Sequence, residues 1–371
     1  MSSREWLARS GRMLLVLLLA AMGGIWLSPA VLAVAGPAGR TVSFGVSGEL
    51  WGVAAATSGN VWVVGQTGQP GSEDPGKTLI AHWNGRAWKR MPGSVRGGLR
   101  GVAAISARSA WAVGYRGSAS TQTVILRWNG RAWEPVPSSS PAGGGSLFGV
   151  AAVSAGNAWA VGGAGSLGFG KTLIDHWNGR SWKRVPSPSP AGSGLTAVTA
   201  LSARNAWAVG SASGKTLIEH WDGTTWKRVP SPTPAGGGVL RGVAAVSPRE
   251  VWAVGQANTL EGGTTLILRW NGSKWQRVPS LGAAESILFG VAASTRGAWA
   301  VGTVGQGDNT SVIERWTGKV WKSVSSPRTG SDDLTGVAIL SPRSAWAAGS
   351  DMLAANESKT LVEHWNGSTW R

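Results

Sequence analysis

Leu195-Thr-Ala-Val-Thr-Ala-Leu-Ser202, Ala206-Trp-Ala-Val-Gly210, Lys215-Thr-Leu-Ile-Glu-His-Trp-Asp-Gly223 and Trp226-Lys-Arg-Val-Pro-Ser231 follow one another in a single stretch. Each segment is short and rich in Val, Ile, Thr or Trp. Each ends at Gly, Pro, Ser or Asp, the residues that supply turns, so the stretch reads as four strands of one antiparallel meander. The same text recurs along the chain, with its first Trp at Trp62, Trp111, Trp159, Trp207, Trp252, Trp299 and Trp346. The spacings of 49, 48, 48, 45, 47 and 47 residues lie in the range of four-stranded propeller blades. Seven contiguous copies leave no room for a second core, and the expected fold is an all-β, seven-bladed propeller.

Within the copies, the first strand is small and apolar, as in Gly52-Val-Ala-Ala, Gly101-Val-Ala-Ala and Gly242-Val-Ala-Ala, which suits an innermost strand crowded around a central axis. The second strand carries Ala-Trp-Ala-Val-Gly and the third Thr-Leu-Ile-x-His-Trp or a variant. These are apolar on both faces, so both faces must be covered, as in blades stacked on one another. Asn84-Gly85, Asn129-Gly130, Asn178-Gly179, Asp222-Gly223, Asn271-Gly272 and Asn366-Gly367 predict type I′ hairpins between the third and fourth strands, because Asn, Asp and Gly tolerate positive φ. Thr317-Gly318 is a weaker version of the same signal.

At the N-terminus, Arg4, Arg9 and Arg12 precede an apolar run from Met13 to Leu27 and then Ala33-Val-Ala35. That order is expected of a secretory signal peptide over residues 1–35, the propeller occupying 36–371. Its loss would leave a net charge of +15 from +17. The rival expectation is an uncleaved membrane anchor. Six copies end in a full fourth strand, whereas the seventh stops at Trp370-Arg371. An open strand edge invites aggregation. Thr41–Val46 is therefore expected to pair antiparallel with Thr360–Trp365 and to close the last blade.

The chain holds 35 Lys and Arg against 18 Asp and Glu, a balance that raises affinity for anionic partners. Loops after the first and third strands share one end of the disc. There stand Arg108, Arg204, Arg249, Arg296 and Arg343, with Arg86, Arg131, Arg180, Lys274 and Lys319 in the hairpins, opposed by Asp222 and Glu250. The other, irregular end carries Glu73, Asp74, Glu261, Glu285, Asp308, Asp332, Asp333, Asp351 and Glu357, so one end is expected to be basic and the other more acidic. The eight Arg of the first end form the candidate anion-binding set, and an anionic cell-wall polymer, a glycan or a protein is the expected partner.

Zero Cys excludes disulfides and cysteine chemistry. Gly71–Thr78 and Gly165–Thr172 fit a phosphate-loop pattern, but that motif needs a helix starting at the Lys, and a strand is expected there. His82, His176, His220 and His364 share a repeat position with Arg127, Arg269 and Arg315. Guanidinium has no lone pair to offer a metal, so a hydrogen bond or a stack on Trp is the expected role, and neither metal nor cofactor is implied. Asp175, Glu219, Glu314 and Glu363 recur beside that position and read as structural partners. The sequons at Asn271 and Asn366 coincide with hairpin turns and carry no weight.

On the Ala-Trp-Ala-Val-Gly and His-Trp-Asn-Gly motifs, the region from Leu50 to Arg371 resembles secreted propeller proteins of actinobacteria and related bacteria. More distantly it is similar to kelch-type propellers and to the propellers of photosystem II assembly factors. The kelch-type galactose oxidases need a Tyr-Cys cofactor, which a chain without Cys cannot form. Trp221-Asp-Gly-Thr-Thr-Trp226 departs in spacing from the sialidase box. The resemblance implies a scaffold whose ligand is not written in its repeats. The expectation is a secreted, monomeric, non-catalytic binding or adhesion module of the cell envelope. A glycan-active hydrolase or lyase, or a lectin-like module, is the alternative.

Overall fold

The computed structural model of the chain describes residues 44, 46–68, 76–93, 95–117, 121–165, 168–259, 262–305, 310–327, 331–354 and 357–371. The signal segment, Thr41 to Ser43, the loop acids Glu73, Asp74, Glu261 and Asp308, and most of the first phosphate-loop match lie outside them. The described residues form 27 strands, numbered β1 to β27 in chain order. They make seven antiparallel meanders, six of four strands and a last one of three. The fourth blade shows the pattern: β13 (Ser193–Ser202), β14 (Asn205–Ala212), β15 (Lys215–Trp221) and β16 (Trp226–Arg228) pair in that order. The fold is the seven-bladed propeller expected from the repeat.

Because β14 is buried on both faces, the hydrophobic core is distributed between blades. In the interface of the fourth and fifth blades, Trp207, Val209 and Ile218 pack on Leu240, Val251, Leu266 and Trp275. Trp207 lies 5.0 Å from Trp270 and 5.5 Å, edge-on, from Trp275, separations at which aromatic pairs attract beyond their area burial. The same triad recurs around the ring. It closes where Trp346 of the seventh blade meets Trp83 at 5.6 Å and Trp88 at 5.4 Å in the first.

Two glycine positions set the geometry. The Gly ending Ala-Trp-Ala-Val-Gly faces a bulge in the innermost strand: a Cβ on Gly210 would stand 2.0 Å from the Gly194 carbonyl oxygen. The Gly opening Gly-Val-Ala-Ala lets neighbouring innermost strands touch, since a Cβ on Gly149 would lie 2.9 Å from the Ala197 Cα of the next blade. Repeated Gly thus encodes both the bulge and the close approach of blades.

The ring closes at the seventh blade, β25 (Asp332–Ser341), β26 (Ser344–Ala354) and β27 (Glu357–Trp365). Ser47 bridges Lys359 antiparallel, in the register expected for the N-terminal segment. The Phe44 N–H donates to Thr360 Oγ1 at 3.0 Å, and the Phe44 ring, 5% exposed, packs edge-on against Trp88. The expected pairing is corrected at its far end. Trp365 bridges Trp370, and His364 and Arg371 exchange both backbone hydrogen bonds. The last two residues start a fourth strand as in every other blade and occupy the positions expected for Thr41 and Val42. The edge of β27 is therefore shared by both chain ends.

Candidate functional site

The basic end is built from two turns per blade held side by side. Between the third and fourth strands, the Asn84 carboxamide oxygen accepts from the N–H groups of Arg86 and Ala87 at 3.0 and 2.9 Å. The Asn84 N–H reaches the Ala87 carbonyl. Positive φ falls on Gly85 at 92°, and Asn84 is not among the positive-φ residues. The turn is thus a four-residue loop with an Asx cap rather than the expected type I′ hairpin, which would need positive φ at both central positions. Thr317 replaces the carboxamide with its hydroxyl, which donates to the Val320 carbonyl at 2.8 Å.

In six blades the Trp before this turn ties it to the turn between the first two strands. Trp128 Nε1–H donates to the Ala107 carbonyl at 3.0 Å, Trp221 to Ala203 at 3.1 Å and Trp270 to Pro248 at 3.2 Å. Arg side chains of the first turn then lie over the Gly of the second: a Cβ on Gly130 would meet Arg108 Cγ at 3.1 Å, and Gly223, Gly272 and Gly367 stand likewise to Arg204, Arg249 and Arg343. The aliphatic stems pack on backbone while the guanidinium groups reach solvent.

Arg86, Arg108, Arg131, Arg180, Arg204, Arg249, Arg296 and Arg343, with Lys274 and Lys319, are all exposed at this end. Every blade supplies at least one. The two opposing acids are spent elsewhere: Asp222 pairs with Lys227 at 2.7 Å and Glu250 with Arg269 at 2.8 Å. None of the ten cations enters an ion pair among the described residues. The arrangement is a ring of fixed positive charge on a rigid disc.

Among the described residues the irregular end carries charges of both signs. Asp332 and Asp351 are buried, Asp332 accepting from the Ser311 hydroxyl. Lys77, Lys171, Lys215 and Lys359, at the starts of third strands, are exposed there. The loop count took in neither the burial of Asp332 and Asp351 nor these strand-end cations.

The periodic His and carboxylates are interior, as expected. The His82 ring stacks on Trp62 at 4.1 Å and bonds Asn60 at 2.8 Å, and burial lowers its pKa. Arg127, Arg269 and Arg315 place guanidinium over the equivalent Trp at 5.3, 5.0 and 5.3 Å, a cation–π version of the same stack. Asp175 receives Arg184 at 2.6 Å. Burial pushes Glu219 up to about 8, only partly offset by Arg228, and Glu314 up to about 7. After Lys171 the chain is strand β11 (Lys171–Trp177), so the second phosphate-loop match lacks its helix.

One set of residues was missed. The pairing of first and second strands shifts register across Leu50/Gly52, Leu99/Gly101, Leu195/Ala197, Leu240/Gly242, Leu288/Gly290 and Leu334/Gly336. Opposite Val161/Gly162 the same shift skips Phe148. The bulged residue is therefore Trp51, Arg100, Phe148, Thr196, Arg241, Phe289 or Thr335, near the irregular end of the central channel. A signal was present: three Trp per blade account for all of the 24 except Trp6, Trp26 and Trp51. This position, set between the recurrent Leu and the small residue after it, holds four different residue types in the seven blades.

No protein-family model matches the chain, and no curated protein matches it. Among solved structures it is similar to YCF48 bound to D1 peptide, at 13% identity and a TM-score of 0.58, covering 91% of this chain and 99% of that one. YCF48 from Cyanidioschyzon merolae follows at 16% identity and a TM-score of 0.56, with 88% and 98% covered. The RRP9 WD40 repeats match at 12% identity and a TM-score of 0.56, with 90% and 99% covered. At these identities the likeness is one of fold.

Proposed function

We propose that the protein is a non-catalytic binding scaffold whose basic end engages an anionic polymer of the cell envelope. The observation that carries this reading is the ring of ten exposed Lys and Arg, contributed by all seven blades and free of ion pairs among the described residues. Charges spaced around a rigid disc meet successive groups of a polyanion without reorganising, so the ordering cost falls mainly on the ligand. Export of the protein is part of the proposal and rests on the charged, apolar and Ala-x-Ala order of residues 1–35. That one propeller of similar fold is bound to a peptide fits a scaffold role.

The test is retention on immobilised teichoic acid with uncharged dextran as control. Replacing Arg108, Arg204, Arg249 and Arg343 together by Ser is expected to abolish most of the retention. Equal retention by that variant would assign these residues to solubility.

A further inference from the structure

The bulged position of the innermost strand serves two different purposes in different blades. At Thr196 and Thr335 the side chain satisfies itself: Thr196 Oγ1 donates to the Leu240 carbonyl at 2.8 Å, and Thr335 Oγ1 to Leu50 at 2.7 Å. Each hydroxyl thereby ties its blade to the next. At Arg100 and Arg241 the same position holds a guanidinium that donates no hydrogen bond among the described residues. The Nε of each is sealed from solvent without a partner.

Two half-buried guanidinium groups, each with a sealed and unpartnered Nε, are costly, because a charge drawn out of water needs a counter-charge or acceptors. They also bear on each other: burial lowers the Arg241 pKa, and the Arg100 charge lowers it further. Glu49 provides a partial counter-charge. Glu49 accepts from Trp51 Nε1 at 3.1 Å. Burial raises its pKa, the nearby Arg100 lowers it, and Asp333 raises it again. Arg100 is also preorganised, its guanidinium lying 3.6 Å over the Trp51 ring and 5.6 Å from that of Tyr115. The Tyr115 hydroxyl is held by Gln66 at 2.9 Å. Stacking of this kind fixes the plane of the fork while leaving its N–H edges to meet a planar or tetrahedral oxyanion.

We propose that the mouth of the central channel, between Arg100 and Arg241, is a binding site for an oxyanion group, carboxylate or phosphate, on a ligand entering from the irregular end. A β-bulge is suited to the task, since it turns one side chain out of the ladder at a fixed place. The glycine after Ala-Trp-Ala-Val makes room for that bulge in every blade.

The experiment titrates the purified protein with citrate and, separately, inorganic phosphate at constant ionic strength against chloride, read by calorimetry and thermal shift. Saturable binding of either is expected, and which of the two binds identifies the group. Arg100→Gln and Arg241→Gln should each weaken it at least tenfold. Arg241→Lys, which keeps the charge and loses the fork, should weaken it as well, and serves if a Gln variant fails to fold. The four-fold Ser variant of the basic end should bind as the parent does, which separates this site from the polymer surface. The idea is overturned if neither anion binds more strongly than chloride, or if the Ser variant loses binding while the channel variants keep it.

Discussion

At the turn end, all seven blades present an Asx or Thr cap and a Gly at positive φ, and in four of them an Arg stem rests on that Gly. At the channel mouth, the same seven-fold scaffold presents Trp51, Arg100, Phe148, Thr196, Arg241, Phe289 and Thr335, almost no two neighbours alike. Uniformity at one end yields a broad field of like charge, suited to a repeating ligand. Individuality at the other yields a local arrangement that a repeating ligand would not need. The contrast teaches that in a repeat protein the positions carrying a discrete site are those that escape the repeat, while the repeated positions hold the ring together and set its overall charge.

The shared framework beneath both ends is the first thing to break. Trp207→Ala removes the largest side chain from a blade interface and should cost about 3 to 5 kcal/mol, read as a lower urea midpoint. A loss under about 1 kcal/mol would mean that the interfaces do not carry the fold. Phe44→Ala removes the ring that fastens the N-terminal segment beside Trp88 and should cost about 3 kcal/mol. An unchanged melting temperature would show that the N-terminal segment does not help to close the ring.

A smaller effect follows from the buried carboxylates. With folded pKa values of about 8 for Glu219 and about 7 for Glu314, the native state holds more protons than the unfolded chain above the ordinary Glu range. Stability should therefore fall as pH rises from about 4.5 to 8. Glu219→Gln should flatten that decline in melting temperature, and an unaltered profile would contradict the assignment. Smallest of all, the four Ser substitutions at the basic end should change stability by only about 0.5 kcal/mol, as exposed sites do, while affecting polymer binding. That dissociation would sharpen the contrast between framework and surface.

Blade number, strand order and the basic turn end were legible in the sequence because each rests on a repeated residue with a repeated physical role, such as the Trp before each Asn-Gly or the Arg after five of the seven first strands. The register of the clasp was legible too, since alternation in the N-terminal segment allows few pairings. The claim of Trp370 and Arg371 on the outer positions was not read, although Trp182-Lys and Trp226-Lys show the same start of a fourth strand. The turn type was missed because Asn-Gly is consistent with both a two-residue and a four-residue loop, and only the Trp83–Trp88 pairing separates them. The bulge residues were hidden by a different cause. Their role depends on a register shift between strands, which leaves no mark on alternation, and Arg100 and Arg241 read as two more cations in a basic chain.

The central claim, that the basic end is a polyanion-binding surface, is tested most directly by the salt dependence of binding to teichoic acid. For the parent protein the affinity should fall steeply as NaCl rises from about 0.05 to 0.5 M, because exposed charges are screened over a Debye length that shortens with ionic strength. For the protein with Ser at positions 108, 204, 249 and 343 the affinity should be lower at low salt and the slope shallower, the two curves converging near 1 M. Parallel curves of equal slope would show that these arginines do not face the polymer, and would contradict the account.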